Sequence, residues 1–163
     1  NPLSYTGSYA GALGIPQFLP SSIRNWGVDF DGDGQVDLAA STPDAIGSVA
    51  NFLASHGWET GSPIAAPASV TGDRFVELIN AGILPRFLPE EMTAYGVSPA
   101  ADAPQQPCAL IDLGTPSGTT EYWLGYRNFY VITRYNRSSF YAMAVYTLSR
   151  ELRTEREARL ATR

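Results

Sequence analysis

The sequence has no lysine, one histidine and one cysteine. The lone thiol, Cys108, excludes an internal disulfide and any cysteine-cluster metal site, and it reads as a small apolar residue opening a strand. No apolar run approaches the roughly 18 residues that a membrane span requires. The stretch from Asn1 to Gly14 lacks the basic and apolar blocks of a signal peptide, so any export signal or lipid anchor would precede Asn1. Bases are also scarce: eleven arginines face sixteen acids, for a net charge of −5. That balance offers no footprint for a phosphate backbone or an anionic surface, which sets nucleic acid aside as a partner. The deficit is local, because Asp29, Asp31, Asp33, Asp37 and Asp44 have no base among them and account for all of it. What is present is 163 residues with 44% hydrophobic content, enough for one well-packed domain or two small ones.

The segment from Asn1 to Ser22 is rich in glycine and proline and reads as loop and broken helix, with Pro16 and Pro20 suited to first-turn positions. After the aspartate-rich stretch, Thr42-Pro43-Asp44 supplies a cap, a first-turn proline and an acid near the positive helix end. Ile46, Val49, Ala50 and Leu53 follow at helical spacing, and Gly57 stands where a left-handed cap is wanted, predicting a helix over Pro43–His56. Proline-rich GSPIAAPASV and ADAPQQP then bracket two short helical stretches, near Arg74–Asn80 and Pro89–Tyr95. Three strands are expected at Ala109–Leu113, Thr120–Leu124 and Phe129–Tyr135, separated by GTPSG and GYRN turns, as an antiparallel meander. From Ser138 a helical stripe of Tyr141, Ala144, Val145, Leu148 and Leu152 begins, ending in the charge-alternating RELRTEREARLATR.

Asp29-Phe30-Asp31-Gly32-Asp33-Gly34-Gln35 places carboxylates at loop positions 1, 3 and 5, a glycine at 6 and a backbone carbonyl at 7, the first half of an EF-hand calcium loop. Alternate positions of a tight turn point inward and supply the oxygens a hard cation needs. The second half departs, since Ala40 occupies the place of the closing glutamate. The next acid, Asp44, is assigned that role on the first turn of the following helix, with Asp37 acting directly or through water. The competing reading is a solvated acidic turn. Against it, converging carboxylates repel one another unless a cation holds them.

A second constellation combines Ser8-Tyr9-Ala10-Gly11-Ala12-Leu13-Gly14 and Gln17-Phe18-Leu19-Pro20 with Phe129 to Asn136 and Tyr141. Amides and hydroxyls beside aromatic rings suit a carbohydrate, whose apolar faces stack while its hydroxyls bond. Taken singly, Gln17 and Asn136 fit turn-stabilising amides equally well, and Tyr122, Trp123, Tyr126 and Tyr130 fit sheet packing.

The strings SYAGALGIPQFLPSS, VDFDGDGQVDL, DAIGSVANFLASHGW and NFYVITRYN, in this order along nearly the whole chain, resemble the second half of the membrane-bound lytic murein transglycosylase B family and its soluble relatives. The resemblance implies an α+β fold: a goose-type, lysozyme-like helical core with an EF-hand-like calcium loop and a small antiparallel β lobe. On that reading residues 1–58 and 126–163 form the core part, and residues 59–125 the small mixed lobe. It implies cleavage of the β-1,4 bond between N-acetylmuramic acid and N-acetylglucosamine in peptidoglycan without water, leaving 1,6-anhydromuramoyl ends, in the bacterial periplasm and in association with the outer membrane where a lipid anchor precedes the chain. Ser8, Gln17, Phe18, Tyr135, Asn136 and Tyr141 are then expected at the saccharide, and Asp29, Asp31, Asp33, the Gln35 carbonyl and Asp44 at a structural Ca2+. Two departures from the family pattern stand out: Phe52 replaces a usual tyrosine, and one residue is added between Asp37 and Asp44. The family's catalytic glutamate, in a Gly-Val-Glu-Thr type of motif, is expected upstream of Asn1, so no catalytic residue is assigned in this chain and the upstream segment of the same enzyme is its expected partner. The alternatives are a non-catalytic calcium- and peptidoglycan-binding module, and a muramidase-type hydrolase.

Overall fold

The computed structural model describes residues 7–116 and 118–162. The expectations for Asn1 to Thr6, and for Ser117 within the GTPSG turn, lie outside the described residues. The chain divides into two compact units, Asn1–Trp58 and Glu59–Arg163.

In the first unit, an isolated antiparallel bridge pairs Leu13 with Phe18. Helix α1 (Pro20–Trp26) starts with its proline in the first turn, where the missing N–H costs nothing. Helix α2 (Thr42–Ser55) matches the expected helix, but its cap is Ser41, whose side chain accepts from the Asp44 N–H, rather than Thr42. Gly57, at φ 89°, takes the left-handed position just past its end. The buried face of α2 differs from the expected one: Ala45, Ser48 and Phe52 are buried with Asp44, while Ile46 is 63% exposed. On that face Gly47 leaves room for Phe30, whose ring comes within 2.6 Å of where a Cβ on Gly47 would lie.

The second unit is built on a four-stranded antiparallel sheet of order β2-β1-β4-β3. Its strands are β1 (Ala65–Val70), β2 (Val97–Pro99), β3 (Ala109–Gly114) and β4 (Thr120–Gly125). Helices α3 (Phe75–Asn80) and α4 (Pro89–Met92), the latter continued by a 3-10 turn over Thr93–Tyr95, fall where expected. One sheet face carries the core of Ala66, Leu110, Leu124, Val97, Leu78, Met92, Cys108 and Tyr126. Burial and, less strongly, Glu91 push the Cys108 thiol up to about 12, and its Sγ donates to the Phe87 carbonyl, so it is an inert packing residue, bridged to Phe87 just before β3.

The third expected strand is instead a helix, α5 (Arg127–Tyr135). Its β-branched and aromatic content reads as strand, but Asn128, Phe129, Val131, Ile132 and Thr133 are buried together on it and Asn128 ties it to the chain. The strands that do complete the sheet, β1 and β2, hold Pro67 and Pro99 and read as loop. Helix α6 (Ser139–Ala161) is as expected in extent, with Ser138 capping it through the Tyr141 N–H. Its expected apolar stripe is not packed: Ala142 is the buried residue, while Val145, Leu148 and Leu152 are 36%, 56% and 62% exposed.

Candidate functional site

The acidic loop in the first unit is organised by backbone amides. Asp29 Oδ1 accepts from the N–H groups of Gly32 at 2.7 Å and Asp33 at 3.2 Å, and its Oδ2 accepts from Gly34 at 2.8 Å. Gly34, at loop position 6, has φ 91°, the left-handed turn that glycine alone adopts freely. Asp33 accepts from the Gln35 N–H at 2.9 Å, and Asp37 accepts from Ala39 and Ala40, both at 2.9 Å, which turns the chain into α2.

Asp44 closes the loop from inside. It is 1% exposed, and both oxygens are engaged: Oδ1 accepts from Phe30 at 2.8 Å and Asp31 at 3.4 Å, and Oδ2 from Asp37 at 2.8 Å. The Asp37 N–H is the main reason its carboxyl is held below 3.8; burial opposes the shift, and the Phe30 and Asp31 amides and the Ser41 side chain add to it. Carboxylate oxygens of Asp29, Asp31 and Asp44 lie within 4.8 Å of one another, three hard donors of the kind a divalent cation takes. Asp33 and Asp37 are not in that group. The sequence reasoning missed Ser41, whose hydroxyl donates to Asp31 Oδ2 at 2.7 Å while its Oγ caps the Asp44 N–H. Its position three residues before a first-turn acid was the available signal.

A depressed carboxyl stabilises the fold above its unfolded value and loses that contribution as pH falls through the folded one. In metal-free protein, the melting temperature is therefore expected to fall more steeply below pH 3.8 than it does in Asp44→Asn. Parallel slopes for the two proteins between about pH 5 and 2 would contradict the assignment.

The saccharide candidates are distributed over both units. In the first, Ser8 is exposed and its Oγ accepts from the Ala12 N–H at 3.1 Å, shaping the turn over Ser8 to Ala12. Gln17 is exposed at φ 51°, among the described residues the one non-glycine with positive φ. Its N–H and its Nε2 both donate to the Gly14 carbonyl, at 3.1 and 2.9 Å. A glutamine held in this region is strained, and such strain persists where its neighbours over-determine it. Phe18 is a core residue at 3% exposure, with its ring 5.8 Å from Phe52. Phe52 in turn stacks on His56 at 4.0 Å and meets the edge of Trp26 at 4.8 Å.

In the second unit, Tyr135 and Tyr141 face one another with parallel rings, 6.3 Å between centroids and 1° between planes. Burial first, and Tyr141 second, push the Tyr135 phenol up to about 12, so it keeps its proton at any working pH. Asn136 follows α5 in extended conformation and is exposed. Arg134 lies 4.3 Å over the Tyr130 ring, and its Nη2 donates to Thr133 at 3.2 Å. Asn128, which the sequence reasoning passed over, is fully buried and bonds three backbone groups: it accepts from the Glu59 N–H at 2.9 Å and donates to the carbonyls of Glu59 at 2.8 Å and Ser62 at 3.2 Å. All eight glutamates are exposed. Several serve local structure: Glu91 caps the Leu88 N–H, Glu77 pairs with Arg74 and Glu155 with Arg159.

Residues 1–150 match the transglycosylase SLT domain, and the chain belongs to that family. It is 42% identical over 157 residues to membrane-bound lytic murein transglycosylase B of Escherichia coli (strain K12), a match covering 91% of this chain and 40% of that protein. The soluble lytic transglycosylase SltB1 from Pseudomonas aeruginosa shares its fold at TM-score 0.84 and 45% identity, over 96% of this chain and 52% of that one. The Escherichia coli lytic transglycosylase Slt35, solved in complex with calcium, is similar at TM-score 0.77 and 38% identity, over 96% of this chain and 48% of that one. The chain thus spans between two-fifths and half of the length of these relatives. Helices with a small antiparallel sheet, as expected, are what it shares with them.

Proposed function

We propose that this chain is the glycan-binding part of a peptidoglycan lytic transglycosylase, an enzyme that cleaves the β-1,4 bond between N-acetylmuramic acid and N-acetylglucosamine and leaves 1,6-anhydromuramoyl ends. The observation that carries the reading is the family match along the chain, which includes the segments bearing Gln17 and Asn136. Ser8, Gln17 and Phe18 in the first unit, and Tyr135, Asn136 and Tyr141 in the second, are the residues assigned to glycan contacts. Within the second unit the two parallel phenol rings offer flat apolar faces and the Asn136 amide can bond N-acetyl or hydroxyl groups. The localisation that follows is the bacterial periplasm, where murein lies. Among the described residues no helix is long and apolar enough to cross a membrane.

The catalytic acid of such an enzyme acts twice, first protonating the glycosidic oxygen and then taking the proton of the C6 hydroxyl that attacks C1. That role needs a carboxyl raised by an apolar surround. All eight glutamates of this chain are exposed, so none of them has the apolar surround that such a role needs.

Calcium is assigned to the acidic loop in a structural role, held by Asp29, Asp31 and Asp44 with the Gln35 carbonyl and, after a rotation, Asp33. The support is the converging carboxylates and the calcium complex of Slt35. A bound ion would cancel two of the five charges of the chain's net −5.

Two measurements test the reading. Gln17→Ala and Asn136→Ala are each expected to weaken binding to purified murein by roughly 3- to 10-fold, the worth of one or two hydrogen bonds, without lowering the melting temperature. Unchanged binding in both removes these residues from the glycan contacts. The chain by itself is expected to bind murein and release no anhydromuropeptide on mass spectrometry; reducing-end products heavier by one water would instead establish a hydrolase.

A further inference from the structure

Strands β1 and β4 pair from Ala65↔Gly125 to Ala68↔Tyr122 and then part. Beyond that point β1 continues against β2 to Val70↔Val97, and β4 continues against β3 to Gly114↔Thr120. The sheet therefore opens between Pro67–Val70 and Thr120–Trp123, leaving a cleft of 410 Å³ lined by those residues. Trp123 stands directly across from Pro67 and is only half-buried. Its indole N–H donates to Glu121 Oε2 at 3.2 Å, which places the carboxylate beside the ring edge. Ser69 stands on the same rim. None of the lining residues is basic, and Glu121 is the one charge among them.

A flat aromatic and proline surface with an acceptor-rich rim and no cation repels anions and suits a ligand with an apolar C–H face and hydroxyl donors at its edge. We propose that this cleft is a second saccharide site, separate from the residues named above, which takes an N-acetylhexosamine unit stacked on Trp123 with its hydroxyls donating to Glu121. The proposal deepens the glycan-binding reading and rests on it for the choice of sugar. Such a site raises affinity for long strands over short ones, because a second contact on one polymer is intramolecular.

Calorimetric titration with the tetramer of N-acetylglucosamine tests it, using wild type, Trp123→Ala, Glu121→Ala at the exposed strand end, and Asn136→Ala. Two sites are expected in the wild type, and in Asn136→Ala one at wild-type affinity and one weakened by about 3- to 10-fold. Trp123→Ala should lose the cleft site, and Glu121→Ala should weaken it by about 3- to 10-fold with its melting curve unchanged. If Trp123→Ala and Glu121→Ala both keep two sites of wild-type affinity, the cleft is not a saccharide site, whatever Asn136→Ala shows. If only Asn136→Ala is silent while the cleft variants lose binding, the assignment of Asn136 to the glycan fails and the cleft stands. Binding of trilysine but not of the sugar tetramer at the cleft would make it a cation site and overturn the proposal.

Discussion

Replacing Asp44 by alanine is expected to lower the melting temperature by roughly 5–10 °C and to abolish its response to calcium. The effect is large because one side chain does two things. Its oxygens accept from three backbone amides, of Phe30, Asp31 and Asp37, which hold the acidic loop against the first turn of α2. The same oxygens join Asp29 and Asp31 in the group that can hold a cation. If calcium binds the folded loop of the wild type, as proposed, its addition is expected to raise the melting temperature with concentration and chelator to lower it. Asp44→Asn separates the two roles: it keeps one carbonyl acceptor but not the charge, so it should lose the calcium response while retaining part of the metal-free stability. A calcium shift in Asp44→Ala equal to that of wild type would remove Asp44 from the metal site.

Asn128→Ala should cost about 3 kcal/mol of stability, read from urea unfolding as a lower midpoint with an unchanged slope. The buried amide makes three bonds to the backbone of Glu59 and Ser62; without it the Glu59 N–H and the Ser62 carbonyl lose this partner, while the Glu59 carbonyl keeps the Ser62 N–H at 3.1 Å. Asn128→Asp is expected to be at least as harmful, since it keeps the acceptor for the Glu59 N–H but turns a charge toward two carbonyls. A loss below about 0.5 kcal/mol in both variants would mean that the 59–62 segment is held by other contacts.

Much of this was legible in the sequence, and the failures have physical causes. Helices α2, α3, α4 and α6 and strands β3 and β4 announced themselves through caps, spacing and alternation. Helix α5 did not, because FYVIT is as good a strand former as any segment here. The tie is broken by tertiary facts, the burial of Phe129, Ile132 and Thr133 and the Asn128 clamp, which no local propensity encodes. Strands β1 and β2 were hidden by Pro67 and Pro99. Pro67 still accepts through its carbonyl, from the Ala100 N–H at 3.0 Å. The buried side of α2 includes Asp44, Ala45, Ser48 and Phe52 rather than Ile46, and the three backbone amides that Asp44 accepts are a tertiary contact that apolar spacing does not report.

At the site, the spacing anticipated the convergence of Asp29, Asp31 and Asp44, while the backbone amides that Asp29, Asp33 and Asp37 accept were not foreseen from it. Gln17 was named as a glycan residue, but its left-handed backbone was not foreseeable, since glutamine seldom adopts it.

The most direct test of glycan binding by this chain is sedimentation with purified murein, comparing wild type with Asn136→Ala in calcium. The wild type is predicted to pellet with murein, and the variant, folded and of equal melting temperature, to do so several-fold less. Equal pelleting of the two, or no pelleting of the wild type, would contradict that claim.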